Sequence, residues 1–148
     1  MRLEFVGPES ADFRTLAAAL DAYYFTLVGD IQLKYAEPNR PENMSALLVA
    51  YAGDTPIGCG AWKAVDGETA EIKRIFVDPA YRRKGAATAI IRMLESDVLA
   101  SGRHKLILET AVDTSGSHGL YLSLGYQLRD YYGSPAGAEN CLCFHKEI

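Results

Sequence analysis

Apolar residues recur every three to four positions over residues 8–28, where Phe13, Leu16, Ala17, Leu20, Tyr24 and Leu27 would share one side of a helix. From 30 to 45 that rhythm lapses, and Pro38, Asn39, Pro41 and Asn43 predict a loop or a broken helix. "ALLVAYAG" (46–53) and "PIGCGAWKAV" (56–65) read as two strands, with Asp54 and Thr55 as the tight hairpin between them. Asp66-Gly67 then turns the chain into a third strand, "AEIKRIFV" (70–77). Strict alternation there puts Ile72, Arg74 and Phe76 on one face and Glu71, Lys73, Ile75 and Val77 on the other, so neither face is cleanly apolar. A β-bulge near Lys73–Ile75 would change the phase beside a site; an edge strand with one wet face accounts for the pattern equally well.

The clearest helix runs from Ala86 to about Ser101, with Ala87, Ile90, Ile91, Leu94 and Val98 as its apolar stripe and Gly102 as its terminating glycine. "KLILET" (105–110) holds three consecutive apolar residues, the mark of a strand buried on both faces in mid-sheet. Residues 70–110 therefore read as a right-handed parallel strand–helix–strand crossover. A short helix over about 116–124 ends at Gly125, and strands near 126–132 and 141–147 complete the chain. These elements predict a single α/β domain over residues 1–148, with antiparallel N-terminal strands, a parallel crossover and flanking helices around a mixed central sheet.

Composition narrows the class. The 148 residues are 49% apolar and 23% charged, in the globular range, which sets aside disorder, collagen and coiled coil. With a net charge of -4 and a pI near 5.3, the chain lacks the broad basic surface that nucleic acid requires. No segment reads as a leader or a membrane span, so a cytoplasmic protein without a membrane partner is expected. Of three cysteines, Cys141 and Cys143 share a strand face and Cys59 stands apart. No zinc-like spacing is present, so buried free thiols and no metal are expected.

The concentrated chemistry lies in "FVDPAYRRKGAATAII" (76–91). A helix start leaves backbone N–H groups without intrahelical partners and carries the positive end of the helix dipole, so it receives phosphate. Gly85 permits an unusual backbone conformation, Ala86 and Ala87 leave the amides uncovered, and Arg82, Arg83 and Lys84 supply charge at the mouth. The alternative is a solvated basic turn opening an ordinary helix. Neither a Walker A loop nor a dinucleotide-binding glycine fingerprint is present.

"VDPAYRRKGAA" resembles the acetyl-CoA-binding signature of the GNAT superfamily of N-acetyltransferases: arginine or glutamine, two residues, glycine, one residue, then glycine or alanine. Arg82, Gly85 and Ala87 fill those places, and "LYLSLGY" (120–126) is similar to the family's leucine–tyrosine–x–x–x–glycine–aromatic block. The resemblance covers about 70–126. It implies a GNAT-like fold with acetyl-CoA as co-substrate. Backbone groups of Ile75, Phe76 and Val77 would pair with the pantetheine arm as an added strand. Residues Arg82, Arg83, Lys84, Gly85, Ala86 and Ala87 would hold the pyrophosphate, with Thr88 beside it. Thr114 stands where many relatives carry an asparagine that contacts the cofactor, and Ser117 where an alanine is usual.

The implied reaction is direct attack by a primary amine on the thioester in a ternary complex. A lysine-like ammonium titrates at about 10.4 and a thiol at about 8.5, so near neutrality the site must take one proton and supply another. Tyr121 fills the family's proton-donor position beside the leaving sulfur. Glu71 is the candidate base, with Glu109 and His118 as alternatives. The acceptor would lie among Asp21, Tyr23, Tyr24, Asp30, Tyr35 and Glu37 on one side and Asp130, Tyr131, Tyr132 and Glu139 on the other. Such a set suits a small-molecule or peptide amine. Two other readings stay open: a non-catalytic acyl-CoA sensor or interaction module on the same fold, and a domain for another phosphate ligand. Exposed C-terminal strands would allow a homodimer by sheet extension.

Overall fold

The computed structural model describes residues 1–30, 36, 38–111, 115–133, 139 and 141–148. Ten principal elements follow in chain order: β1 (Arg2–Val6), α1 (Ala11–Val28), β2 (Ala46–Ala52), β3 (Thr55–Ala64), β4 (Thr69–Val77), α2 (Ala86–Ala100), β5 (Lys105–Ala111), α3 (Ser115–Ser123), β6 (Gln127–Arg129) and β7 (Cys141–Glu147). The strands form one seven-stranded sheet in the order β1-β2-β3-β4-β5-β7-β6. β4 and β5 are parallel with α2 crossing between them, and every other neighbouring pair is antiparallel. This is a mixed α/β fold with the element order that the resemblance implies.

Several boundaries shift for identifiable reasons. α1 starts at Ala11 rather than residue 8 because Ser10 caps it, its Oγ accepting from the Phe13 amide at 3.2 Å. The β2–β3 turn is Gly53-Asp54, one residue earlier than expected. Gly53 takes the positive φ (61°) and Thr55 already pairs with Ala52. β6 is shorter than the expected 126–132 strand. β1 was not anticipated, because it is a short edge strand with Phe5 and both its charged residues exposed.

The sheet is covered on both sides. α1 packs Phe13, Leu16, Ala17 and Leu20 against Leu47, Val49, Cys59, Ala61 and Phe76. On the other face Ile90, Ile91, Leu94 and Val98 of α2, with Tyr121 and Leu124, pack against Leu48, Ile72, Leu106, Leu108 and Phe144. Among the described residues, no helix is long and apolar enough to cross a membrane.

Two irregularities in β4 open the sheet. Between the pairs Cys59–Phe76 and Ala61–Lys73, β3 advances two residues while β4 advances three, a β-bulge in the place the broken alternation marks. Arg74 takes the bulge with φ of 61°. The phase changes there: Ile72 faces α2, Arg74 reaches back to α1, and beyond it Phe76 joins the α1 core while Val77 joins the α2 core. The second irregularity is that β4 pairs with β5 only from Thr69–Lys105 to Ile72–Leu108. Past that point β4 and β5 diverge, and a wedge-shaped gap cuts into the sheet from its C-terminal end.

Candidate active site

The gap leads into two adjoining cavities. The larger, about 720 Å³, lies between the end of β4, the start of α2, α1 and α3. Its walls include Ile75, Phe76 and Val77, then Arg82, Arg83 and Gly85 to Thr88, nearly the set that the resemblance implies. The smaller, about 100 Å³, sits in the gap itself and carries Glu71, Lys73, Arg74 and Glu109. Leu20, Tyr24, Ile75 and Tyr121 border both cavities and form the passage between them.

The segment entering α2 is built for close approach. Asp78 caps the short 3-10 turn Pro79–Tyr81, accepting from the Ala80 amide at 2.8 Å. Arg82 Nε donates to the Val77 carbonyl at 2.9 Å, which pins the loop to the strand end. Arg83 and Gly85 both have positive φ, 64° and 84°. Such a conformation costs a non-glycine residue roughly 1–2 kcal/mol, and strain of this kind collects at ligand sites. α2 begins immediately after Gly85, its first intrahelical bond running from Ala89 N to Gly85 O. The amides of Ala86, Ala87 and Thr88 therefore have no carbonyl partner within the helix and face the larger cavity, an arrangement that accepts phosphate oxygens.

In the smaller cavity, each carboxylate meets a tyrosine from the segment before β7. Tyr132 donates to Glu71 at 2.7 Å and Tyr131 to Glu109 at 3.1 Å. Burial and the neighbouring Glu71 carboxylate raise the Tyr132 hydroxyl far above its ordinary range, so this proton stays in place. Lys73 Nζ lies 3.6 Å from Glu71. Arg74, only 8% exposed, donates through Nη2 to the Ala17 carbonyl at 3.0 Å and to Asp21 at 2.8 Å.

Tyr121 is buried against the rings of Tyr126 (5.7 Å, edge-on) and Phe144 (5.8 Å). Burial raises its hydroxyl above the ordinary tyrosine range. Tyr24 is raised in the same way and shares a side-chain hydrogen bond with Thr110.

The structure thus brings Glu71 and Glu109 together and sets Tyr121 between the two cavities. It does not bring Lys84 to the larger cavity's wall; its Nζ lies 5.8 Å from the Tyr81 ring centroid. His118 also stands apart, its Nε2 bonded to the Ala111 carbonyl at 2.9 Å, which fits a packing role. Thr114, Tyr35 and Glu37 lie outside the described residues. Sequence reasoning missed Arg74 and Thr110 as lining residues. For Arg74 the available signal was a charged residue on a strand whose alternation fails. Among the described residues no group of His, Cys, Asp and Glu is arranged to hold a metal.

Comparison with known proteins points the same way. The family model "Acetyltransferase (GNAT) family" matches residues 13–126. An IAA acetyltransferase of Azospirillum brasilense is 35% identical over 88 residues, 58% of this chain, and the chain spans 57% of that relative's length. A Klebsiella pneumoniae structure assigned as an acyl-CoA N-acyltransferase superposes with a TM-score of 0.82 at 26% identity, covering 99% of this chain and 96% of the other. A GNAT family acetyltransferase of Elizabethkingia anophelis, solved with acetyl-CoA bound, superposes at 0.73 with 15% identity over 99% and 97% of the two chains.

Proposed function

This chain belongs to the GNAT family of acetyltransferases, and from that premise we propose that it transfers the acetyl group of acetyl-CoA to a primary amine by direct attack in a ternary complex. The observation that carries the reading is the junction. One cavity has a phosphate-receiving helix start, its neighbour holds carboxylates, and Tyr121 borders both. Acetyl-CoA would lie along Ile75–Val77 with its pyrophosphate at Arg82–Thr88, and its thioester would reach the passage beside Tyr121. The amine would wait in the smaller cavity.

The proton accounting assigns the remaining roles. An ammonium must lose one proton before it attacks, and Glu71, with Glu109 as the alternative, would take it directly or through water. The nitrogen lone pair forms a C–N bond to the acetyl carbon, the C–S bond breaks, and the amide nitrogen releases a second proton. One proton ends on the CoA thiol and one leaves to solvent. Because burial holds the Tyr121 hydroxyl above the range of a thiol, it stabilises the departing thiolate by donating a hydrogen bond rather than by surrendering its proton outright.

Thermal unfolding with acetyl-CoA, CoA and ATP, followed by thiol release with a panel of amines, tests this reading. A shift with acetyl-CoA and CoA but not ATP, together with amine-dependent thiol release, is expected. Equal shifts with ATP would remove the CoA site. A CoA-selective shift without release to any amine would leave a binding module.

A further inference from the structure

Among the described residues, two buried side-chain polar atoms have no hydrogen-bond partner: Arg74 Nε and Asn39 Oδ1. Both residues line the smaller cavity. A buried donor or acceptor left unpaired costs about 1–3 kcal/mol, so two such atoms on one small wall mark a place that a ligand would complete. The Arg74 guanidinium is fixed by the Nη2 bonds to Ala17 and Asp21, and its Nε–H is buried without a partner. Lys73, on the same stretch of β4, adds an ammonium that is also largely buried. Donors are therefore concentrated on the wall made by β4 and the end of α1. The facing β5–α3 wall carries Glu109 and Tyr121, and Glu71 sits where the two strands still pair.

Resting on the transferase reading above, we propose that the acceptor is a zwitterion: an amine bearing its own carboxylate within a few bonds, as a free amino acid does. The carboxylate is taken by Arg74 Nε and Lys73, while Asn39 Oδ1, an acceptor, would receive an N–H of the ligand instead. The amine is held between Glu71 and Glu109, on the side from which it reaches the thioester. Charge balance favours this class over a polyamine or an aminoglycoside. Arg74 is paired with Asp21 through Nη2 but keeps an unpartnered Nε–H, and Lys73 stands beside it on β4. A polycation would set positive groups against both, whereas a zwitterion pairs donors and carboxylates alike. Size agrees, because a cavity of about 100 Å³ admits the head of an amino acid and little more. Glu71 and Lys73 lie two residues apart on β4 with their charged ends 3.6 Å from each other, so a zwitterion would insert there by exchanging that ion pair for one with each of its own charges. The products would be an N-acetylated acid and CoA thiol.

Thiol release from acetyl-CoA is measured with the twenty amino acids, their carboxamides, the corresponding decarboxylated amines and spermidine. The expected result is a carboxylate-bearing acceptor favoured at least tenfold in kcat/KM over its own carboxamide. That ratio should fall towards one in Lys73→Met and in Arg74→Lys, each first checked for folding by circular dichroism. Lys73→Met carries the test if Arg74→Lys does not fold. Carboxamides, decarboxylated amines or spermidine used equally well or better would overturn the zwitterion and leave the transferase standing. An unchanged ratio in the folded variants would overturn the roles given to Lys73 and Arg74. A CoA-dependent thermal shift without release to any amine would overturn both readings together.

Discussion

At the scale of single residues, chemistry turns on what burial does to a hydroxyl. Tyr121 is enclosed by Tyr126 and Phe144. A phenylalanine would keep that packing and lose only the hydroxyl proposed to meet the sulfur. Tyr121→Phe should therefore lower kcat by on the order of 100-fold and leave the acetyl-CoA dissociation constant unchanged, measured by steady-state thiol release and calorimetric titration. An unchanged kcat would take Tyr121 out of the reaction. Tyr121 was legible because its neighbours in "LYLSLGY" form a distinctive block. Glu71 was legible only as one of several carboxylates, since a charged residue on a strand looks alike in sequence whether it faces solvent or a cleft. Arg74 was harder still. Its burial depends on carbonyl and carboxylate partners contributed by α1, more than fifty residues earlier in the chain.

At the scale of elements, close packing of α2 on β3 places the helix start beside the larger cavity. Two β3 glycines make the approach possible. A Cβ on Gly60 would come within 2.6 Å of Ile90 Cγ2, 2.8 Å of Ile75 Cδ1 and 2.9 Å of Leu94 Cδ1, all side-chain atoms, of which the two Cδ1 methyls are tips and the Ile90 branch methyl is not. A Cβ on Gly58 would meet the Phe76 backbone carbonyl at 2.9 Å, which cannot swing aside without moving β4. Both alanine variants should lose about 1–3 kcal/mol in urea unfolding, but only Gly58→Ala should also weaken CoA binding, because it shifts Phe76 and Val77. Equal CoA affinity in the two would mean that β4 tolerates the displacement. The crossover and the α2 stripe could be read ahead because each imposes a local period, whereas the bulge showed only as a broken alternation that an edge strand explained equally well. The limit of β4–β5 pairing could not, since strand divergence is a relation between segments that leaves no mark in either.

At the scale of the whole molecule, the buried hydroxyls and thiols make stability depend on base. Burial pushes the Cys59 thiol up to about 12, and a hydrogen bond to Asp12 holds Tyr51 at about 12. In the unfolded chain a thiol ionises near 8.5 and a phenol near 10. Above those values the unfolded state binds fewer protons than the folded one, so stability present at lower pH declines as pH rises. The melting temperature should fall from about pH 8.5 upward, and Cys59→Ala should flatten the first part of that fall. The same slope in the variant would show that the Cys59 thiol is not responsible.

The divergence of β4 from β5 also shapes how the molecule bears load. In the sheet itself only four residue pairs join β4 to β5, with the core on the α2 side and side-chain bonds such as Tyr132–Glu71 linking the halves around them. The gap therefore behaves as a notch in a plate, with its tip at Ile72 and Leu108, where bending between the halves must concentrate. A cofactor arm laid along Ile75–Val77 would act as a splint across that notch. On the proposed reading the cofactor would bridge the sheet where its strands are least joined, so each turnover would stiffen and release it in turn.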